Sequence, residues 1–213
     1  MKQHIIPQNQ FPLVLNDHVS VLGNYFINLF LVKGSRTTAL FEVGISSVVD
    51  TVIHQLSALN CQPDLIIVSH PHSDHITGLP GLMSAFPAAR VIAAQGAKEF
   101  LTHPRALPLL LNEDAFMHKR LKAFDLTPGR PPLDTLPDLS RSTVVQHTQT
   151  LDLGKIQLEL TVVDGHSPGN LIGWIPQSRT LFCYDSLGFH YPGRRFLPLF
   201  STRADRYLTT LEQ

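Results

Sequence analysis

Four residues with metal-ligand chemistry stand within six positions: His70, His72, Asp74 and His75, in the run His70-Pro71-His72-Ser73-Asp74-His75. Neutral imidazole and carboxylate are the borderline donors that suit zinc or iron, and an ion needs several such lone pairs converging at about 2.0–2.2 Å. Alternating residues of an extended segment point the same way, so His70 and His72 can reach one ion together. A change to helix after Ser73 redirects Asp74 and His75 toward a second position. Directly before the run lies Leu65-Ile66-Ile67-Val68, a short apolar stretch of the kind found in strands buried on both faces. A loop at the end of such a strand is where layered α/β proteins place their ligands.

The elements that must hold this loop are legible from hydrophobic spacing. Val19 to Leu31 is rich in β-formers, with Gly23-Asn24 as a turn signal. Thr38 to Val43 reads as a strand stopped by Gly44. Val48 to Leu59 carries apolar residues at three- and four-residue steps, the helical period. The spacing predicts a helix over Ile76 to Phe86, a strand over Arg90 to Ala94 and a short helix over Gly96 to Leu101. Between Thr102 and Thr143, Leu110, Met117, Leu121 and Phe124 fall on one helical face, and a proline-rich piece from Pro128 to Pro137 excludes regular structure. Strand signals return at Val144-Val145, Ile156 to Val163, Leu171 to Ile175 and Leu181 to Tyr184, and Tyr207 to Gln213 looks like the start of a helix. Strand, helix, buried strand, helix and strand, followed by a β-rich second part, point to a layered α/β fold with mixed sheets.

Composition narrows the function classes. The chain has 213 residues, 43% of them hydrophobic, enough for one domain with a sizeable core. A single domain over 1–213 is expected, with a helical and proline-rich insert at about 102–143. Lysine plus arginine and aspartate plus glutamate are 17 each, so there is no basic excess of the kind nucleic-acid binders show. No run approaches the roughly 18 apolar residues of a membrane span, and the first twenty residues lack the apolar core of a secretory signal. Two cysteines, Cys61 and Cys183, define no disulfide framework. The expectation is a cytoplasmic protein acting on a small molecule, with no nucleic-acid or membrane partner and a homodimer left open.

The pattern His-x-His-x-Asp-His after a buried strand resembles the signature of the metallo-β-lactamase superfamily. Two further runs fit in the right order. Asp164-Gly165-His166-Ser167-Pro168-Gly169 is similar to the family's second histidine motif, and Leu181 to Leu187 (LFCYDSL) to the strand that ends in the metal-bridging aspartate. Leu40 to Gly44 matches the strand ending in an acidic residue and glycine, with Glu42 where aspartate is common. The resemblance covers about residues 20 to 190. It implies an αββα sandwich, two mixed sheets face to face with helices outside. It also implies two divalent ions, zinc first and iron or manganese as alternatives. His70, His72 and His166 would hold the first ion, Asp74 and His75 the second, and Asp185 would bridge them. Two ions sharing a water lower its pKa toward neutrality and make it a nucleophile for a carbonyl or phosphoryl centre.

The resemblance also implies a last second-site histidine in a Gly-His context beyond the bridging aspartate. No Gly-His follows Asp185; His190 is the only later histidine and stands close to the bridging residue. The expectation is that the second site is completed by water or another chain, or is weak, or that the C-terminal elements of the fold are missing. Asp74 after the second histidine is the pattern of the family's hydrolases of thioesters (glyoxalase II type), lactones and nucleic acids. The runs Val43 to Ser46 and Leu181 to Gly188 resemble a thioesterase-like branch that includes a quinolone-signal response protein. The expected activity is hydrolysis of a small ester, thioester or lactone by a metal-activated hydroxide, with Asp74, His190 and Tyr191 as catalytic residues, the last two as oxyanion donors. Arg194-Arg195 could attract an anionic leaving group, and Phe116 or His118 could face an acyl group. The alternative is a non-catalytic regulatory or binding protein that keeps the fold and part of the metal site.

Overall fold

The structure is a computed structural model, and it describes residues 6–190 and 196–212, without the His190 side chain. The chain opens with three antiparallel strands, β1 (Leu13–Val14), β2 (Val19–Gly23) and β3 (Asn28–Lys33), followed by β4 (Thr38–Phe41). Helix α1 (Val49–Ala58) then crosses to β5 (Leu65–Ile67), whose three residues are all buried. Two short helices follow, α2 (Ser73–Ile76) and α3 (Leu79–Ala85), then β6 (Arg90–Ala94), α4 (Gln95–Leu101) and the long α5 (Ala106–Ala123). The proline-rich piece has no regular structure and leads to β7 (Thr143–Val145). The strands β1 to β7 form one sheet in chain order, antiparallel as far as β4 and parallel from β4 to β7.

A second sheet contains β8 (Thr148–Asp152), β9 (Gln157–Val163), β10 (Asn170–Ile175) and β11 (Thr180–Phe182), in the order 11-10-9-8. The first sheet is mixed as expected; the second is antiparallel throughout, because its strands are joined by short turns that reverse direction. A hairpin of β12 (Phe189–His190) with β13 (Phe196–Leu197) and a last helix, α6 (Ala204–Glu212), end the chain.

Two apolar layers hold this together. Phe41, Ile67, Ile92, Leu158, Leu160, Leu171 and Phe182 pack between the sheets. Leu40, Ile66, Val52, Leu56, Leu82, Leu110 and Leu121 pack between the first sheet and its helices. Successive strand residues point to opposite faces, so the run Leu65-Ile66-Ile67 supplies both layers. Helix α5 belongs to this packing rather than standing apart: Ala106, Leu110, Asp114 and Leu121 are buried.

Several expectations need adjusting. The helix expected from Ile76 to Phe86 begins at Ser73 and is interrupted at Thr77-Gly78, where a Cβ on Gly78 would lie 2.0 Å from the Val43 carbonyl oxygen. Phe124 is not on the buried face of α5 but caps its end, partly exposed, with its ring 4.1 Å from that of Phe26. No helix among the described residues is long and apolar enough to cross a membrane. Both cysteines are free.

Candidate metal centre

The site forms where the chain leaves β5. Val68 continues the parallel ladder by donating to Ile92 O, and His72 is still extended, with φ −74° and ψ 155°, before Ser73 turns into α2. His70 and His72 thus come from the extended part, while Asp74 and His75 occupy the first turn of α2. The second sheet is tied to the same spot: Leu171 N donates to Ser69 O at 2.7 Å, which brings the loop before β10 against His70. That loop carries His166. Ser167 Oγ donates to Asn170 Oδ1 and Asn170 Nδ2 to Ser167 O, closing the loop on itself. Gly165 and Gly169 flank it with φ of 108° and 73°, and a Cβ at either would lie 2.3 Å from a backbone nitrogen, of Tyr207 and Ala97 respectively. Glycine is required there for both reasons.

His70, His72, His166 and Asp185 converge, with one donor atom of each within 4.8 Å of the others. His166 Nε2 lies 3.3 Å from His70 Nε2 and 3.1 Å from His72 Nδ1; Asp185 Oδ2 is 3.5 Å from His166 Nε2 and 3.9 Å from His70 Nε2. Four ligands arranged tetrahedrally at about 2.0–2.2 Å from one ion lie about 3.3–3.6 Å apart. On the other side of Asp185, His75 Nε2 is 3.6 Å from the same Oδ2 atom and 3.4 Å from Asp74 Oδ2. Asp185 Oδ2 therefore faces both groups. It is carried by a 3-10 turn over Tyr184–Leu187 rather than by the strand expected to reach Tyr184, and Tyr184 sits at φ 43° with its hydroxyl donating to Phe41 O.

Proton bookkeeping decides what the imidazoles offer. His166 Nδ1 faces Leu199 O at 3.0 Å, and a carbonyl only accepts, so Nδ1 carries the hydrogen. Ser69 Oγ donates to the Glu42 carboxylate and must therefore accept from His70 Nδ1, 2.9 Å away. With both rings neutral, two bare nitrogen lone pairs face each other at 3.3 Å. Burial and the neighbouring imidazoles push His70 well below the ordinary histidine range, and the same two causes bring His72 to about 4, so both rings are neutral near pH 7. Burial also lowers His166. Facing lone pairs repel unless a cation lies between them.

His75 differs. Burial would lower it, but Glu42, Asp74 and Asp185 outweigh burial and raise it well above the usual value. Its Nδ1 is 2.6 Å from Glu42 Oε2. Asp74 is pushed up by burial, but His75, by charge and hydrogen bond, overrides this and holds it near 2. Its side chain is 43% exposed, at the mouth of the site.

Glu42 also lies within reach of His70 and His75 as a third carboxylate of the centre. It is 1% exposed, at φ 90°, with Oε1 accepting from its neighbour Val43 N and Oε2 from Ser69 and His75. It thus fixes the Nδ1–H tautomer of one imidazole on each side of Asp185, the role outer carboxylates take around metal-binding histidines. Sequence reasoning noticed Glu42 only as an acidic position after a strand. Ser69 and the Leu199 carbonyl were not foreseen at all.

The rest of the site reading divides. Phe116 lines a groove with His72 and Asp74. His118 does not: its Nδ1 is 2.7 Å from Ser47 Oγ, away from the groove. A buried carboxylate on the same helix, Asp114, accepts from Ser46 N and Oγ, Thr77 Oγ1 and Leu133 N, and Ser73 Oγ donates to Leu110 O. These bonds lock α5 to α2. Tyr191, Arg194 and Arg195 lie outside the described residues, as does the side chain of His190. Among the described residues, the clusters of metal-ligating groups bring Glu42 to the Nδ1 side of His75 and no further histidine to the Asp74–His75 side.

A family model described as the metallo-beta-lactamase superfamily matches residues 22–211, and the chain belongs to that superfamily. Its members are typically hydrolases that bind divalent metals. Among solved structures, an archaeal metallo-beta-lactamase superfamily protein, ST1585 from Sulfolobus tokodaii, is 23% identical with a TM-score of 0.66 over 92% of this chain and 74% of that one. BJP-1, a subclass B3 metallo-beta-lactamase of Bradyrhizobium japonicum, is 18% identical with a TM-score of 0.65 over 94% and 71%. At these identities the likeness is one of fold. No curated protein matches the sequence.

Proposed function

We propose that this chain is a metal-dependent hydrolase of a small ester, thioester or lactone. In this reading His70, His72 and His166 would hold one divalent ion, Asp74 and His75 would hold a second, and Asp185, which faces both groups, would be shared between them. The observation that carries it is the two lone pairs facing each other at 3.3 Å between the neutral, buried imidazoles of His70 and His166, with His72 Nδ1 at 3.1 Å and Asp185 Oδ2 at 3.5 Å from the same His166 Nε2. Zinc suits three imidazoles and a carboxylate at tetrahedral spacing, with iron or manganese as alternatives. Bound ions would supply Lewis acidity and a water of lowered pKa. The chain's own part is to hold the proton inventory. Asp74 Oδ2, ionised and exposed at the mouth, can accept a hydrogen bond from a water and orient it. Glu42 and Leu199 O keep the Nδ1 protons of His75 and His166 in place. The Asp after the second histidine supports the thioesterase, glyoxalase II and lactonase-like branches, and the absence of a basic excess weighs against nucleic acid.

A second reading, a binding protein with an incomplete second site, is favoured by one observation: the Asp74–His75 side has three donors among the described residues, one of them shared. Metal content by mass spectrometry after reconstitution, with ester, thioester and lactone assays on the same sample, separates the two. Two ions per chain, turnover, and loss of turnover in Asp74→Ala are expected. One ion with no turnover supports the binding reading, and no ion at all sinks both.

A further inference from the structure

Helix α5 shows two faces at different angles. Ala106, Leu110, Asp114 and Leu121 point into the core, while Leu109, Glu113, Phe116 and Met117, spaced i, i+4, i+7 and i+8, form an adjacent stripe. Leu109 and Phe116 are 44% and 59% exposed. This stripe, with His72 and Asp74, lines a groove of about 330 Å³ that runs directly into the candidate centre. On the opposite side of Asp74 a second groove of about 340 Å³ is walled by Phe26, Phe30, Leu181 and Phe189, with His75 and Asp185 at its base. Asp74 is common to both. Neither groove has a lysine or arginine among its described lining residues. The ionisable group of the α5 groove other than Asp74 and His72 is Glu113, whose carboxyl burial and the Asp74 charge push up.

Resting on the hydrolase reading, we propose that the substrate is an uncharged ester or thioester with an apolar group on each side of the cleaved bond, the acyl arm lying along Leu109, Phe116 and Met117. Three features select it. Large apolar side chains are left uncovered in continuity with the candidate ligands, and apolar contact is what they offer. A carboxyl at Glu113 and no lysine or arginine among the described lining residues disfavour an acyl arm ending in a carboxylate or phosphate. Two grooves meeting at one carboxylate call for a ligand whose reacting group is central, not terminal. The reaction is hydrolysis: a water oxygen bonds the acyl carbon, the acyl C–O or C–S bond breaks, and the water's protons go to the leaving group and to solvent as the acid ionises.

The test uses the metal-reconstituted chain and 4-nitrophenyl esters of acetate, butyrate and octanoate, with the octanedioate monoester as the anionic counterpart. A fully buried methylene contributes about fourfold, and about twofold when half covered, so kcat/KM should rise roughly sixtyfold from acetyl to octanoyl. The anionic ester should fall at least tenfold below octanoate, and Phe116→Ala and Phe116→Asp should cut the octanoyl-to-acetyl ratio at least fivefold. A flat chain-length series, or a ratio unmoved in both variants, would overturn the proposal while leaving the hydrolase reading intact. If no ester is turned over, the hydrolase reading is decided by the thioester and lactone assays, and the groove is judged by calorimetric binding of octanamide against acetamide. Tighter octanamide binding, weakened by Phe116→Asp, supports the acyl arm; equal or absent binding overturns it. Unfolding midpoints of both variants control for loss of fold.

Discussion

Replacing Glu42 with glutamine removes one charge and changes almost no volume, yet it should disturb both sides of the centre. In the native site Oε1 accepts from Val43 N, and Oε2 accepts from His75 Nδ1 and Ser69 Oγ. A glutamine has one accepting oxygen. If that oxygen takes the Oε2 place, the amide nitrogen meets the Val43 N–H, donor against donor. If the amide is flipped, its nitrogen meets His75 Nδ1 and Ser69 Oγ. His75 must then accept at Nδ1 and carry its hydrogen on Nε2, which removes the lone pair facing Asp185. Ser69 can no longer donate to residue 42, and the His70 tautomer loses its anchor. Leaving one buried donor unsatisfied costs about 1–3 kcal/mol. For a chain of this size that lowers the unfolding midpoint by about 2–12 °C. Loss of an outer-shell carboxylate typically costs 10–100-fold in metal affinity, or about 1.4–2.7 kcal/mol. One effect opposes this: without the Glu42 charge, His75 holds its competing proton less strongly. The tautomer effect should dominate, because a ring with hydrogen on Nε2 offers no lone pair on the side facing Asp185. Chelator-competition titration with zinc, on wild type and Glu42→Gln, reads the affinity of each step. Two zinc ions bound by Glu42→Gln with wild-type affinities would refute this account of Glu42.

Three further outcomes are expected. His166→Ala should lower first-ion affinity far more than Asp74→Ala does, because His166 Nε2 shares edges with both His70 and His72; chelator competition checks this, and equal losses count against the assignment. Metal uptake should split with pH. His70 and His72 are neutral to well below pH 6, so the first ion persists on acidification, whereas His75 is raised and must lose a proton to bind. Second-ion uptake therefore rises with pH and falls first as pH drops, as ion counts after dialysis at pH 8 and pH 6 would report. Asp114→Ala should destabilise the fold by about 2–4 kcal/mol, since it removes the acceptor of the buried Ser46 N–H and hydroxyl and of the half-buried Leu133 N–H, while Thr77 Oγ1 keeps Ser73 O; chemical denaturation measures the loss.

The sequence by itself determined the candidate donors and the loop that bears four of them. The reason is local: an apolar run too short for a helix, then histidines at alternating positions, fixes strand, extended segment and helix start within about ten residues. Most strands were likewise legible, because burial on one or both faces leaves a period in the chain. Tertiary structure decided the rest. That His166 meets His70 and His72 depends on Leu171 N reaching Ser69 across two sheets, a contact a hundred residues apart in sequence. That Asp185 faces both groups depends on a positive-φ turn at Tyr184 that no apolar period encodes. The roles of Glu42, Ser69 and Leu199 O rest on which atom accepts from which, and hydrogen-bond direction has no signature in residue type. Helix α5 shows the same division. Its apolar residues announced a helix, but only packing revealed that its core face turns on a buried carboxylate, Asp114, and that Leu109 and Phe116 look instead toward the mouth of the site.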